Sequence, residues 1–302
     1  MTNDMSEERI SVGTAGWSYP DWEEIVYPPG LTGAEQLRTL AEFLDCVEVD
    51  SSFYRPPTAR TTNGWLRATS DAPHFRFLAK AWRRFTHERD SVWSSSEFAR
   101  FTEGLWPLRE AGRLAAVLFQ FPWSFRNEPC NADWLRRIAG QFTGWPVAVE
   151  LRHDSWAGEE PIGWLRRHEF IYCNVDQPML SHCLGPTEIA IGTVGYYRLH
   201  GRNAQHWFCE KEPVYGARYD YLYTEEELDA LLARMRRVAA KTQRMFVVFN
   251  NHKNAQAFAN ALQLKARARP ELTVRAPATL LSRFPQLRGR VIPSGAEQLP
   301  LV

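Results

Sequence analysis

A repeated alternation of short apolar β-rich runs with amphipathic helical stretches is what most constrains this chain. Eight runs stand in order: SVGTAG (11–16), CVEVD (46–50), HFRFLAK (74–80), LAAVLFQF (114–121), PVAVEL (146–151), FIYCNVD (170–176), GYYRLHG (195–201) and MFVVFNN (245–251). Several are continuously apolar rather than alternating, the pattern of parallel strands covered on both faces. Helical stretches fill most of the gaps. In GAEQLRTLAEFL (33–44), Leu37, Leu40, Ala41 and Leu44 fall at helical spacing. TEEELDALLARMRRVAAK (224–241) opens on Thr224 with Glu227 three residues on, a capping box. The pattern predicts an α/β chain folded as a single (β/α)8 TIM barrel. It is irregular around strands 6 and 7, where 177–194 carries little helix and 202–223 reads as a long insert. The doubly wound open sheet is the alternative. Residues 1–10 are expected to be a disordered N-terminus, 11–272 the barrel, and 273–302 a Pro-punctuated tail packing on it.

Composition narrows the function classes. The 302 residues are 44% hydrophobic and 24% charged, enough to bury one large core. A formal net charge of +1 gives no global basic field, so any anion site must be local. The five Cys are scattered with no CxxC pair, which favours a reducing cytoplasm without disulfides or structural zinc. The N-terminus MTNDMSEERI is polar, and no apolar run reaches the ~20 residues of a membrane span. The expected location is therefore cytoplasmic, with no membrane partner. P-loop, GxGxxG, HExxH and GxSxG patterns are absent.

Barrels of this kind carry their active sites at the C-terminal strand ends. Here those ends read Gly16-Trp17; Glu48 and Asp50; Lys80; Gln120; Glu150 and Arg152; Asp176; Arg198 and His200; Asn250 and Asn251. Glu48 and Asp50 are two apart and share a strand face, as do Glu150 with Arg152 and Arg198 with His200. Any one of these alone reads as a solvated rim residue. The coincidence across strands is what points to one polar mouth.

GTAGWSYPDW (13–22), VEVDSSFYRPP (47–57), FRFLAKAWRRFTH (75–87), LFQFPWSF (118–125), VELRHDSW (149–156), YRLHGR (197–202) and VFNNH (248–252) occur in order. Together they resemble the DUF72, or YecE-like, family from about residue 10 to residue 265. The resemblance implies a TIM barrel, similar in architecture to the xylose-isomerase and endonuclease IV type, and no established activity. It places the family's polar positions on Trp17, Glu48, Tyr54, Lys80, Gln120, Glu150, Arg152, Arg198, His200 and Asn250. Asp50 stands where many relatives carry Asn.

The chemistry expected of these residues divides in two. Glu48, Glu150, His200 and Asp176 form the catalytic set, with Glu150 or Glu48 as general base and His200 as acid. Trp17, Asp50, Tyr54, Lys80, Gln120, Arg152, Arg198 and Asn250 form the ligand-binding set, in which the guanidiniums and the amine hold a phosphate or carboxylate. A divalent metal on Glu48, Glu150, Asp176 and His200 ranks second, because Lys80, Arg152 and Arg198 compete with it. The cofactor is left unassigned. The expected function is an enzyme, a hydrolase or isomerase, acting on a phosphorylated or anionic ligand. Nucleic acid is retained as a partner because KAWRRFTHER (80–89) interleaves aromatic and basic residues. Aromatics on the βα-loops, among them Tyr19, Trp123 and Trp207, read as stacking surfaces or loop anchors. The alternatives are a metal-dependent sugar isomerase or hydrolase, and a non-catalytic anion-binding module. The oligomeric state leaves no mark on the sequence.

Overall fold

In the computed structural model, which describes residues 10–208 and 216–294, eight parallel strands close into a barrel in chain order. They are β1 (Ile10–Ala15), β2 (Cys46–Val49), β3 (Arg76–Lys80), β4 (Leu114–Gln120), β5 (Val147–Glu150), β6 (Ile171–Asp176), β7 (Val194–Leu199) and β8 (Arg244–Phe249). Closure comes from β1 pairing with β8, in register Ile10↔Met245 to Thr14↔Phe249. Ile10 is part of β1, so the barrel begins one residue inside the segment expected to be disordered. Residues 1–9 lie outside the described residues.

The helices on the outside are α1 (Gly33–Phe43), the single turn α2 (Ser51–Tyr54), α3 (Ala59–Ala68), α4 (Ser95–Glu110), α5 (Pro129–Gln141), α6 (Glu159–Arg167), α7 (Glu225–Ala239) and α8 (Gln256–Ala268). Capping boxes start α1 at Thr32/Glu35, α4 at Ser94/Glu97 and α7 at Thr224/Glu227, satisfying amide groups that would otherwise lack partners. The sequence reading passed over α3. Its ARTTNGWLRA is rich in Thr and interrupted by Gly64, both poor helix formers. Thr58 caps it, and Thr62, Trp65 and Ala68 bury its inner face. No helix lies between β6 and β7. After β9 (Val274–Ala276) come α9 (Ala278–Arg283) and β10 (Val291–Pro293), which pairs with β9. Val274, Leu280, Leu287 and Val291 from this tail join the main core. No helix of the described residues is long and apolar enough to cross a membrane.

Strand parity positions the site. Ala15, Cys46, Leu78, Ala116, Leu118, Ala148, Cys173, Tyr196 and Val248 form a separate buried cluster inside the barrel. Val47, Phe77, Val117, Phe119, Val149, Tyr197 and Phe249, at the other parity, belong to the larger cluster under the helices. Side chains alternate along a strand, so the next inward positions up are Glu48, Lys80, Gln120, Glu150, Arg198 and Asn250. The interior is therefore apolar below and polar at the C-terminal end. At the N-terminal end, the buried Asp45 ties the closure together. It accepts from Val12 N (2.9 Å), Lys265 Nζ (2.9 Å) and the Arg269 guanidinium. Burial alone would raise the Asp45 pKa, but Lys265 and Arg269 hold it below the ordinary value.

Candidate functional site

The polar layer is a ring of charge shut away from water. Arg198 is 1% exposed, and Glu48, Glu150 and His200 are fully buried. From β7, Arg198 spans the barrel. Its Nη1 donates to Glu150 Oε2 (2.5 Å) and its Nη2 to Glu48 Oε1 (2.6 Å). Glu150 Oε1 accepts from Arg152 Nε (2.6 Å), and Tyr196 Oη donates to the second oxygen of Glu48. His200 Nδ1 meets the Asn250 amide at 3.0 Å, and its Nε2 lies 3.3 Å from Arg152 Nη2 and 3.4 Å from Glu150 Oε1.

The environment separates the titrations of these groups. Burial would lift Glu150, but the Arg198 and Arg152 guanidiniums hold it well below the ordinary carboxylate value. Glu48 shifts the other way. Burial raises it, and its one guanidinium, opposed by the nearby Asp50, does not bring it back. His200 is pushed down to about 3, chiefly by burial and secondarily by Arg152, against the pull of Glu150. At neutral pH it is a neutral imidazole.

Above this layer the mouth opens as two adjoining cavities of about 400 and 390 Å³, which share Lys80, Asn250, Arg218 and Tyr219. Tyr19, Asp50, Tyr54 and His252 complete much of the first wall. Phe53, His87, Gln120, Trp123, Arg152, Arg198, Trp207 and Phe208 line the second. Lys80 ends β3 with its Nζ 4.4 Å from the Phe53 ring centre, and no hydrogen bond or ion pair reaches that nitrogen among the described residues. Burial lowers its pKa, Asp50 acts against that and Arg198 adds to it. Arg152 uses Nε and Nη2 on Glu150 and His200; its Nη1 stays outside those bonds, and the side chain is 17% exposed. Among the described residues, Asp50 is the only carboxylate lining either cavity, and its Oδ1 is buried without a hydrogen-bond partner. His87 is pushed down to about 4 by burial and by Lys80 and Arg152.

Seven predicted ligand-binding residues line this mouth: Asp50, Tyr54, Lys80, Gln120, Arg152, Arg198 and Asn250. The predicted catalytic residues do not. Glu48, Glu150 and His200 converge beneath the floor, with both oxygens of each carboxylate engaged. They position the guanidiniums above them. Asp176 stands apart altogether. Ile171, Cys173 and Val175 take the inward positions of β6, so Asp176 faces out and binds Arg202 Nη2 (2.7 Å) and Tyr223 Oη (2.7 Å). Trp17 is also elsewhere. Its Nε1 donates to Gly33 O (2.8 Å) and its ring meets Trp65 edge-on, which anchors the β1–α1 loop. Of the metal set considered from sequence, Asp176 therefore faces away from the other three, and the oxygens of Glu48 and Glu150 are taken by Arg198, Arg152 and Tyr196. The sequence reading missed His87, Arg218, Tyr219 and His252. Of these, His87 had a signal at the end of FRFLAKAWRRFTH and His252 at the end of VFNNH; the His252 ring stacks on Tyr19 at 4.4 Å.

A closed parallel eight-stranded barrel with its polar cleft at the C-terminal strand ends defines a (β/α)8 barrel whose candidate site sits where such folds place theirs. The chain belongs to the DUF72 family: the profile described as "Protein of unknown function DUF72" matches residues 11–281. It is 30% identical over 270 residues to the UPF0759 protein YunF of Bacillus subtilis, covering 84% of this chain and 93% of that one. To the UPF0759 protein YecE of Escherichia coli K12 it is 28% identical over 155 residues, 50% of this chain and 52% of that one. A crystal structure of a DUF72 family protein from Thermotoga maritima superposes with a TM-score of 0.77 at 33% identity, covering 86% of this chain and 98% of that one. One from Enterococcus faecalis gives a TM-score of 0.75 at 25% identity, covering 85% and 94%.

Proposed function

We propose that the chain is an enzyme that binds a small phosphorylated or otherwise anionic molecule in the barrel mouth and acts on it by proton transfer. The observation that carries this reading is Lys80. A lysine amine set in a cavity wall without a hydrogen bond or ion pair to any described residue turns its donors to whatever enters the cavity. An anion placed between Lys80 Nζ and Arg152 Nη1 satisfies both. Arg198 stays below as a fixed positive charge, since its Nη atoms are committed to Glu48 and Glu150. Buried carboxylates holding cations in place for a guest is electrostatic preorganisation. Asp50, Lys80 and His87 are then groups in the cavity walls able to exchange a proton with the guest, in place of Glu48, Glu150 and His200. The rim aromatics Tyr54 and Phe208, with Trp123, offer stacking surface for a flat substituent.

Thermal-shift assays with inorganic phosphate, sugar phosphates, nucleoside monophosphates and a short single-stranded oligonucleotide test this reading. A ligand at 100 times its Kd stabilises by about 2.7 kcal/mol. Lys80→Met breaks no hydrogen bond, so the variant is expected to fold normally and lose the anion-induced shift. An undiminished shift in that variant sinks the reading. A larger shift with the oligonucleotide than with any mononucleotide directs it to nucleic acid. Product formation separates an enzyme from a binding module.

The pH dependence has a fixed sign. The charged amine binds the anion, and burial lowers the pKa of Lys80. Affinity for sulfate, whose charge is constant in this range, should therefore fall at a pH below the ordinary lysine pKa of about 10.4. Affinity that stays flat up to that pH would show that Lys80 is not the partner.

A further inference from the structure

Beside the cleft, outside the residues used so far, His153, Asp154 and His182 bring together two imidazoles and a carboxylate. We propose that these three side chains form a binding site for one divalent transition-metal ion of the Zn²⁺ type. Their donor atoms all lie within 4.8 Å of one another. Asp154 bridges the pair, with Oδ1 3.1 Å from His153 Nδ1 and Oδ2 3.1 Å from His182 Nδ1.

The backbone builds this arrangement from two distant segments. Leu184 N donates to Arg152 O (2.7 Å), and His153 and Cys183 form an antiparallel bridge. His182 O accepts from both Asp154 N (3.1 Å) and Trp123 Nε1 (3.1 Å). These bonds hold His182 at φ 57°, a left-handed conformation uncommon for a residue with a side chain. The two imidazole rings consequently lie parallel within 2°, with centroids 5.8 Å apart. A loop held in a strained conformation so that two histidines face one carboxylate is a preorganised donor set.

Two nitrogens and one oxygen suit zinc, cobalt or nickel better than magnesium or calcium. His153 is buried, whereas the side chains of Asp154 and His182 are 47% and 63% exposed, so water can complete the coordination. If His153 binds through Nδ1, both of its contacts there must yield: Ser155 N donates to it at 3.1 Å and Ser155 Oγ lies 2.9 Å away. Trp123 lines the cleft and packs its ring 5.2 Å from that of His153, so a bound ion would stiffen the wall of the mouth.

The test uses the full, untagged chain stripped with chelator and titrated with Co²⁺, then Zn²⁺. One Co²⁺ per chain, seen as a visible d–d absorption that Zn²⁺ displaces, is expected. His182→Ala and Asp154→Asn alter exposed side chains, so both should fold. Each should weaken binding at least as much as losing an outer-shell partner does, roughly 10–100-fold. Lys80→Met should leave metal binding unchanged, which separates this site from the anion cleft. Absence of stoichiometric Co²⁺ binding, or equal affinity in both variants and the parent, overturns the proposal.

Discussion

Arg198→Met is expected to destabilise the barrel by about 3–5 kcal/mol, the range for removing one partner from a buried ion pair. The cause is what the change leaves behind. Glu48 and Glu150 are fully buried, and Arg198 donates to both. Without it, Glu150 keeps Arg152, but Glu48 keeps only the Tyr196 hydroxyl. Burial already raises the Glu48 pKa, and loss of the guanidinium raises it further. A folded-state pKa above the unfolded value means stability that is present at low pH and lost as pH rises. The deficit of the variant should therefore narrow as pH falls from about 7 towards the carboxylate range. The parent behaves oppositely through Glu150, whose depressed pKa contributes stability that disappears on acidification. Adding Glu48→Gln to Arg198→Met should recover part of the loss, because the pair is coupled. Urea unfolding at two pH values checks this. A single-variant loss below about 1 kcal/mol, or a deficit that widens on acidification, contradicts the buried ion-pair floor.

Gly13→Ala is expected to cost at least about 1–3 kcal/mol by overpacking. Gly13 lies on β1 inside the barrel, and a Cβ built there would sit 2.0 Å from the Cys46 carbonyl oxygen and 2.7 Å from its Sγ. The thiol can rotate, but the carbonyl belongs to the β2 backbone and cannot, so the strands must part. Gly33→Ala is the matched comparison. It is at the start of α1 with nothing within 4 Å of its Cβ position. There the substitution restricts only the unfolded chain and should stabilise by about 0.4–1 kcal/mol. Denaturant midpoints of the two variants should move in opposite directions. Matching shifts would mean that β1 and β2 are not packed this closely.

These two tests bear on how much of the molecule its sequence discloses. Period-2 and period-3.6 patterns were enough to place all eight barrel strands within two residues. They failed at α3, where Thr and Gly mask a helix that tertiary packing of Trp65 supports. At the site, the i, i+2 spacing of Glu150 with Arg152 and of Arg198 with His200 disclosed the convergence. Depth was not disclosed. Nothing local tells that Arg198 reaches across to both glutamates and turns them from solvent-facing acids into a closed floor. Asp176 shows the same limit for parity. One face of FIYCNVD carries Ile171, Cys173 and Val175 and the other Phe170, Tyr172, Asn174 and Asp176; a polar strand end marks the inward face on neighbouring strands, and here it marks the outward one. The loop residues Arg218, Tyr219 and His252 follow no period, and their approach to Lys80 is a property of the folded loops alone.

The central claim is that Lys80 and Arg152 together hold an anion above a floor of buried ion pairs. A crystal soaked in tungstate, an electron-dense phosphate mimic, examines it most directly. The account predicts one strong peak within hydrogen-bonding distance of Lys80 Nζ and Arg152 Nη1, absent from crystals of Lys80→Met. A mouth without tungstate while Lys80 pairs with Asp50, or a peak that persists in Lys80→Met, would contradict it.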